Sequence, residues 1–337
     1  MQMCPECFNE NIKDGICINC GFDADAYAWE DYQLPLFTEI GGKYIIGRAI
    51  GEGGFGITYT AFNKELKARY AVKEYYPADI SGRGFSSEDG MTIYPFSGCN
   101  DNFSKGLERF RQEAEQLAGF DGTQGIVNVK DYVSENGTGY IFMEFVSGSS
   151  LEKYLSEKGG KLSLNEALEI IKPVMAALSL VHKKGIIHRD ISPSNIILTK
   201  DTGAVLIDFG SSRQYADDRS MSVILKHGYA PYEQYTRHGE QDPSTDIYAL
   251  CATVYRMISG EKPPDPIARI QENVPLLKLT EVCDDISVEQ QEALFRGLAV
   301  KREERTGSMT ELYEQLYHGA ARLSNEKSHV KKAAVSV

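Results

Sequence analysis

Two features between residues 51 and 73 have the residue types that phosphate binding needs. The first is the run Gly51-Glu52-Gly53-Gly54-Phe55-Gly56. Glycines lack a Cβ atom, so backbone N–H groups can approach phosphate oxygens closely. The run also fits a plain hairpin turn, and in isolation neither reading is favoured. No helical pattern follows it, which disfavours a dinucleotide-binding unit.

The second feature is Lys73, at the end of the strand-like stretch Ala71-Val72-Lys73. A lone lysine at a strand end is usually a solvated surface residue, but this one follows the glycine run by about 20 residues. A lysine that contacts phosphate needs an anionic anchor, and Glu113 on the following predicted helix is the natural partner. Glu115 competes, but it lies about 200° further round the helix, so only one of the two can face the site.

Two further stretches contribute oxygen-bearing side chains. One is His188-Arg189-Asp190-Ile191-Ser192-Pro193-Ser194-Asn195, and Asp208-Phe209-Gly210 begins 18 residues after Asp190. Phosphoryl transfer requires a protein to cradle polyphosphate, hold Mg²⁺, orient a hydroxyl and balance charge. In this order and spacing, the four stretches closely resemble protein kinases. The wording is most similar to the bacterial branch of eukaryotic-type serine/threonine kinases, over roughly residues 43–320.

The resemblance implies a role for each polar residue. Asp190 would orient the substrate hydroxyl, while Asn195 and Asp208 would bind Mg²⁺ or Mn²⁺. Lys73 would contact the α- and β-phosphates of ATP, and Glu113 would hold Lys73. The implied activity is transfer of the γ-phosphoryl group of ATP to Ser/Thr hydroxyls of protein substrates, the chain itself included.

The resemblance also implies an adenine site. Residues 143–146 are similar to a gatekeeper and hinge, and Thr58 stands where a valine usually covers adenine. The implied adenine contacts are Thr58, Ala71, Met143, Glu144 and Val146. In the second half of the chain, Asp246 is similar to the aspartate that braces the catalytic loop. Glu233 and Arg305 match a structural ion pair.

The catalytic loop departs from the family pattern at two positions. Ser192 stands where these kinases normally have the lysine that neutralises the moving phosphoryl group. Lys226 stands where a threonine of the activation segment is usual. We hypothesise that the two residues have exchanged roles, so that Lys226 supplies the missing cation and Ser192 the hydroxyl. The alternative is a surface lysine and a neutral serine.

Three functions therefore compete. An active protein kinase leads, because Lys73, Glu113, Asp190, Asn195 and Asp208 are all present. A nucleotide-binding pseudokinase scaffold is motivated by Ser192. A small-molecule phosphotransferase is disfavoured by the complete activation segment, residues 208–233.

Regulation has two candidate elements. Arg189 suggests a pocket for a phosphorylated residue of the activation segment, with Ser220 or Ser222 preferred; the alternative is a constitutive pair with Asp217 or Asp218. Residues 75–104 form a long insert before the helix of Glu113, which either regulates the kinase or is a tolerated loop. In the activation segment, the other residues that could accept a phosphoryl group are Ser211, Ser212, Tyr215 and Tyr229.

The first 20 residues contain four of the seven cysteines. Cys4 and Cys7 form one CxxC pair, and Cys17 and Cys20 form the second. Two such pairs suit a tetrahedral Cys₄ zinc site, and the segment resembles a small zinc ribbon whose folding energy the metal supplies. Iron and a redox disulfide pair are the alternatives. The module is predicted to dock on the kinase or on another protein.

Bulk composition excludes several classes of function. The formal net charge is −12, which argues against general binding to nucleic acid. The sequence contains no run of about 18 apolar residues, so no membrane span is predicted. No secretory signal is evident at the N-terminus. The cysteine usage favours a reducing compartment, so we expect a cytoplasmic protein.

Strand patterns come first and helix patterns follow, which predicts an α+β chain with a bilobal kinase fold. We expect a Cys₄ module at 1–21, an acidic linker at 22–42, a kinase domain at 43–323 and a disordered tail at 324–337. Within the domain, an N-lobe at 43–146 would have five strands and one main helix. The C-lobe at 147–323 would be mainly helical, with a capping box at Ser163–Glu166.

Overall fold

The computed structural model describes residues 3–84, 90–201, 203–209, 225–236 and 239–317. They divide into two compact units. The first holds the described residues of Met1–Gly122 together with Val127–Val146. The second holds Thr123–Ile126 and the described residues of Ser147–Gly210 and Leu225–Val337. The Cys module and the acidic linker therefore belong to the same unit as the predicted N-lobe.

The first unit is built on an antiparallel sheet of six strands, in the order β3-β4-β5-β6-β10-β9. Five of these strands lie within residues 43–146, the number expected there, and the end of the linker adds a sixth, β3, whose Ile40 pairs with Tyr44. Aromatic and β-branched residues fill the central strands, as suits a half-buried pleated surface. The strands of this unit are β1 (Ile12–Lys13), β2 (Ile16–Cys17), β3 (Glu39–Ile40), β4 (Tyr44–Gly53), β5 (Gly56–Asn63), β6 (Ala68–Tyr75), β7 (Ser81–Arg83), β8 (Ile93–Pro95), β9 (Val129–Glu135) and β10 (Thr138–Glu144).

The Cys module packs directly on this sheet. The register of β4 against β5 shifts between Ile46 and Ala49, and Pro5 meets the strand there, accepting a hydrogen bond from the backbone of Arg48 at 3.0 Å. A Cβ atom on Gly47 would lie 2.1 Å from the Pro5 carbonyl oxygen. Only glycine fits such an approach. The module thus docks on the chain's own six-stranded sheet, one of the two predicted possibilities.

The insert at residues 75–104 contains regular structure. Strands β7 and β8 form a two-stranded antiparallel sheet, with Arg83 opposite Ile93. The Arg83 side chain is buried and forms a salt bridge to buried Glu74, with Nη2 2.6 Å from Oε2. A charge inside the fold is costly unless it is paired, so this contact ties the insert to β6.

One helix, α1 (Asn100–Ala118), completes the first unit. Its buried side includes Phe110, Ala114 and Leu117, whose spacing of three to four residues places them on one face of a helix. Leu107, three residues before Phe110, is half-buried.

The second unit is mainly helical. Its core centres on α3 and α4, and α4 is buried along nearly its whole length. Ser163 caps α3 by accepting from the Glu166 amide, but the Glu166 carboxylate accepts from Tyr154. The helices are α2 (Leu151–Glu157), α3 (Leu164–Lys183), α4 (Pro243–Ser259), α5 (Pro266–Gln271), α6 (Val288–Gly297) and α7 (309–317).

A small sheet in this unit positions the catalytic-loop residues. Its strands are β11 (Ser149–Ser150), β12 (Ile196–Leu198) and β13 (Ala204–Leu206), with β12 in the centre. Asn195 directly precedes β12, and Asp208 follows β13 by two residues. Among the described residues, none of the helices combines the length and apolar character needed to cross a lipid bilayer.

Candidate active site

The glycine run forms the turn between β4 and β5. Gly53 pairs with Gly56, and Gly51 pairs with Thr58. Gly51 and Gly53 are exposed and Gly54 is half-buried, so part of this backbone is accessible to a ligand. A Cβ atom on Gly56 would lie 2.3 Å from the Glu74 carbonyl oxygen, so a side chain there would push β5 away from β6. The run is a hairpin turn, and its phosphate contact stays a prediction.

Lys73 lies on β6, one of the two central strands of the same sheet. Its Cα pairs with Thr58 on β5 and with Ile141 on β10, and the residue is half-buried. On α1, Glu113 has a buried Oε2 atom. Glu115 is exposed and forms a salt bridge with Arg111. The competitor therefore faces solvent, and the Lys73–Glu113 pair stays a prediction.

The predicted adenine residues follow β6 and β10. Ala71 pairs with Met143, which is buried. Glu144 ends β10, and its amide donates to the Asn128 carbonyl at 2.9 Å. Any adenine contact at Glu144 must therefore use a different backbone group. Val146 is half-buried.

In the second unit, Asn195 holds the carboxylate of Asp190. The Asn195 amide donates to Asp190 Oδ2 at 2.9 Å and to the Asp190 carbonyl at 2.8 Å. The Ile207 amide donates to the Asn195 carbonyl at 2.9 Å, which ties the loop to the segment carrying Asp208. Asp208 has a φ of 56°, a left-handed conformation that non-glycine residues rarely adopt. Such strain is common at functional sites.

Asp246 braces the catalytic loop from α4, as the resemblance implies. Its carboxylate is fully buried and accepts from the amides of His188 and Arg189, each at 2.8 Å. His182 Nε2 lies 2.8 Å from Oδ2. Burial alone would raise the pKa of Asp246, but these hydrogen bonds and the neighbouring histidines outweigh it and hold the pKa below its usual range.

Lys226 lies against the catalytic loop. Its Nζ is 3.2 Å from Asp190 Oδ2 and donates to Ser192 Oγ at 2.9 Å. A second hydroxyl, Ser194 Oγ, accepts from the same ammonium at 3.0 Å. An ammonium at this distance is close enough to stabilise negative charge beside Asp190. The two residues that depart from the family pattern are therefore in direct contact.

The end of the activation segment is fixed by a buried ion pair. Arg305 makes two parallel bonds to Glu233, at 2.6 Å and 2.8 Å. Bidentate pairs of this kind combine strength with fixed geometry. Gln234 donates to the Arg189 carbonyl at 3.0 Å, so the segment end is tied to the catalytic loop. Gly210 and the candidate acceptors at 211–222, with Asp217 and Asp218, lie outside the described residues.

A family model described as "Protein kinase domain" matches residues 44–318. The chain belongs to the protein kinase family. The predicted kinase domain at 43–323 differs from this match by one residue at its start and five at its end. Domains of this family position ATP, metal ions and a protein hydroxyl for phosphoryl transfer.

The kinase domain is similar to bacterial serine/threonine kinases. PknA of Mycobacterium tuberculosis is 31% identical over 66% of this chain and 48% of its own length. PrkC of Bacillus subtilis is 31% identical over 69% of this chain and 33% of its own length. A probable serine/threonine-protein kinase of Clostridium acetobutylicum is 27% identical over 83% of this chain and 40% of its own length.

A solved structure titled "PpkA-294 apo form" is also similar to the kinase. The two chains are 35% identical, and their structures match with a TM-score of 0.71. The match covers 85% of this chain and 99% of the solved one. The chain thus carries a bacterial-type serine/threonine kinase domain. It spans between a third and half of the length of the curated relatives above.

The kinase domain is accompanied by a cluster of four cysteines. The Sγ atoms of Cys4, Cys7, Cys17 and Cys20 lie within 4.8 Å of one another. Cys4 and Cys20 are 3.7 Å apart, and Cys7 and Cys17 are 3.6 Å apart. Four thiolates at about 2.3 Å from one zinc ion would be about 3.8 Å apart. The donor set therefore fits a tetrahedral metal ion.

Side-chain amides surround one of these thiols. Asn9 Nδ2 lies 3.5 Å and Asn19 Nδ2 3.6 Å from Cys7 Sγ. Burial raises the pKa of Cys7, but these N–H groups and a backbone bond outweigh it and lower the pKa to about 6. Metal binding requires the thiolate form, and partners of this kind favour it.

Sequence reasoning missed two buried charges and one hydroxyl. Glu74 and Arg83 received no role, although Glu74 follows Lys73 directly. Ser194 was read as part of the catalytic loop without a function, although it contacts Lys226. Its position two residues after Ser192, in a loop where a hydroxyl had replaced a lysine, was the available signal.

Proposed function

We propose that this kinase phosphorylates Ser/Thr hydroxyls of proteins with Lys226 as the cation that balances charge on the transferring phosphoryl group. The supporting observation is the contact of Lys226 Nζ with Asp190 Oδ2 and Ser192 Oγ. The conventional lysine belongs beside the catalytic aspartate, and here an ammonium reaches that place from the activation segment. Fixed charge near the reacting group lowers the barrier because it needs no reorganisation during transfer.

The remaining roles follow the family pattern. Asp190 would orient the attacking hydroxyl, held in place by the Asn195 amide and the Asp246 brace. Asn195 and Asp208 would bind Mg²⁺ or Mn²⁺ through oxygen atoms. When bound, the metal neutralises charge on the phosphates of ATP. In the first unit, the glycine run and Lys73 would bind those phosphates, and residues 58, 71, 143, 144 and 146 would bind adenine.

Lys226→Ala tests the proposal. Removing one such charge should lower kcat by about 100-fold or more, with little change in the dissociation constant of ATP. The double variant Ser192→Lys/Lys226→Thr restores the usual family arrangement and should recover much of the activity. Lys153→Ala, which removes an exposed lysine paired with Glu157, is the control. Near-normal turnover of Lys226→Ala would refute the exchange.

The pseudokinase alternative is tested by labelled ATP with Mg²⁺. Wild type should incorporate phosphate and Asp190→Asn should not. The labelled positions would show whether serine, threonine or tyrosine is modified, and whether Ser220 or Ser222 is among them. The curated relatives are serine/threonine kinases, which supports the active reading.

For the cysteine cluster we propose a structural zinc-ribbon site. All four donors are thiols, and the distances fit tetrahedral coordination. Elemental analysis of the purified chain should find about one zinc per molecule, and Cys17→Ser should abolish it. Iron would give a coloured protein instead. We propose separately that a partner protein binds this module. The test is whether binding of that partner survives loss of the metal.

A further inference from the structure

The acidic linker makes hydrogen bonds to one carboxylate in the glycine run. Glu52 lies in the middle of the run, between Gly51 and Gly53. Tyr32 donates its hydroxyl to Glu52 Oε2 at 2.9 Å, and Gln33 donates its side-chain amide to Glu52 Oε1. Two consecutive linker residues thus engage both oxygens of this side chain. Charged acceptors make stronger hydrogen bonds than neutral ones.

Gln33 is held rigidly for this contact. Only 4% of it is exposed. Its Oε1 accepts from the Tyr27 hydroxyl at 3.3 Å and from the Glu30 amide at 3.4 Å. Because both neighbours donate to the oxygen, the amide nitrogen must face Glu52. The Tyr27 hydroxyl also accepts from the Ala49 amide at 3.1 Å, so the linker touches β4 at a second point.

Tyr32 is anchored on its other sides as well. Its ring stacks on Tyr76 with centroids 6.2 Å apart. Its carbonyl accepts from Arg83 Nε at 2.9 Å, and Arg83 is the buried partner of Glu74. Tyr32 and Glu52 are both exposed, but the contacts with Tyr76 and Arg83 fix the position of Tyr32 beside the glycine run.

We infer that Tyr32 and Gln33 are positioning residues for the glycine run. A glycine-rich turn samples many backbone conformations, and ordering it around a ligand costs entropy. Anchoring Glu52 removes part of this freedom before nucleotide binds. The linker therefore strengthens ATP binding without touching ATP. This inference rests on the proposed function, in which the run contacts the phosphates.

Gln33→Glu is the sharpest test, because it keeps the side-chain shape and sets one carboxylate against another. The donors to Oε1 still suit a carboxylate, so the local fold is retained. We expect about a tenfold rise in KM for ATP and in the dissociation constant of Mg·ATP, with kcat within about twofold of wild type. Tyr32→Phe keeps the ring stack and should raise KM about threefold.

The double variant Gln33→Glu/Glu52→Gln exchanges the amide and the carboxylate, and should return KM to within about twofold of wild type. Glu39→Gln changes the charge of the linker by one unit in the opposite direction, at a residue paired with Lys64, and should leave KM unchanged. Fluorescence of Trp29 checks that the linker stays packed in each variant.

The inference is overturned if Gln33→Glu and Tyr32→Phe leave both constants for ATP unchanged, or if the exchange fails to restore them. Calorimetric titration with Mg·ATP separates this result from failure of the proposed function. A wild-type chain that binds ATP and transfers nothing would refute the kinase activity. The shifts in dissociation constant would still support the linker's role.

Discussion

His188 is a buried imidazole whose two nitrogens are both engaged. Nε2 lies 3.0 Å from the Ile207 carbonyl, and Nδ1 lies 3.2 Å from the Asp190 amide. A carbonyl can only accept and an amide N–H can only donate, so the ring is the neutral tautomer with hydrogen on Nε2. Protonation of Nδ1 would break the bond to Asp190, the residue expected to orient substrate.

This geometry makes stability depend on pH. Burial lowers the pKa of His188 below its ordinary 6.5, although the carboxylates of Asp246, Asp190 and Asp208 oppose the shift. The folded state binds this proton less tightly than the unfolded state. Its contribution to stability is therefore complete above about pH 6.5 and is lost as the pH falls towards the folded-state pKa.

Urea unfolding between pH 7.5 and 5, followed by circular dichroism at 222 nm, measures the effect. The free energy of unfolding of wild type should fall with a slope of up to about 1.4 kcal/mol per pH unit from this one group. His188→Gln cannot titrate at this position, so its slope should be shallower. Equal slopes for the two proteins would contradict the assignment.

At the scale of elements, strand β4 connects the Cys module, the linker and the glycine run. Near its start, Gly47 leaves room for Pro5 of the Cys module. Ala49 contacts the linker, and the strand ends in the glycine run. Phe8 of the module also stacks on Phe62 of β5, with centroids 5.5 Å apart. Glu6 pairs with Arg48 and with Arg69.

Gly47→Ala should separate the Cys module from the sheet, because the new methyl group would collide with the Pro5 carbonyl and the Phe8 ring. We expect a loss of about 1–3 kcal/mol in the free energy of unfolding, read from Trp29 fluorescence in urea. Gly53→Ala on the same strand has open space at its Cβ position and serves as the stability control. Equal effects of the two variants would show that the Pro5 contact is unimportant.

The elements that sequence reasoning missed share a physical cause. Strand β3 has two residues, too few to show a period of two. Glu74 received no role because its partner Arg83 comes from the insert, and its other partners are the hydroxyls of Tyr59 and Tyr140. Pairing between distant segments leaves no local pattern. Phosphate chemistry, by contrast, restricts residue types, so the glycine run, Lys73 and Asp190 were recognisable.

Lys226 was the informative exception at the catalytic loop. Its exchange of roles with Ser192 was predicted from two departures that compensate in charge, without any local pattern. The second acceptor, Ser194, could not be assigned, since the direction of a side chain in an irregular loop depends on its tertiary surroundings. The contact itself is in the structure, whereas the catalytic role awaits the variants above.

At the scale of the whole molecule, two probes report on different units. Trp29 is the single tryptophan of the chain and belongs to the first unit. Of the described helices, all but α1 lie in the second unit, so circular dichroism at 222 nm reports mainly on that unit. Multidomain proteins need not unfold in one transition.

Removal of metal by a strong chelator should therefore act on one probe more than on the other. A Cys module of about 20 residues has too small a core to fold alone, so the proposed zinc ion would supply folding energy. We expect the thermal midpoint from Trp29 fluorescence to fall by about 5 °C or more, with a smaller change at 222 nm. Added zinc should reverse the loss. An unchanged Trp29 midpoint after verified metal loss would contradict a structural role.

The six-stranded sheet has a consequence for where this kinase begins. The family match starts at residue 44, yet strand β3 and the amide that donates to the Tyr59 hydroxyl lie before it. A chain shortened to the family boundary would leave Arg48 and Arg69 without Glu6 and would uncover the edge of β4. In this protein the residues that pack on the six-stranded sheet begin about forty residues before the family match does.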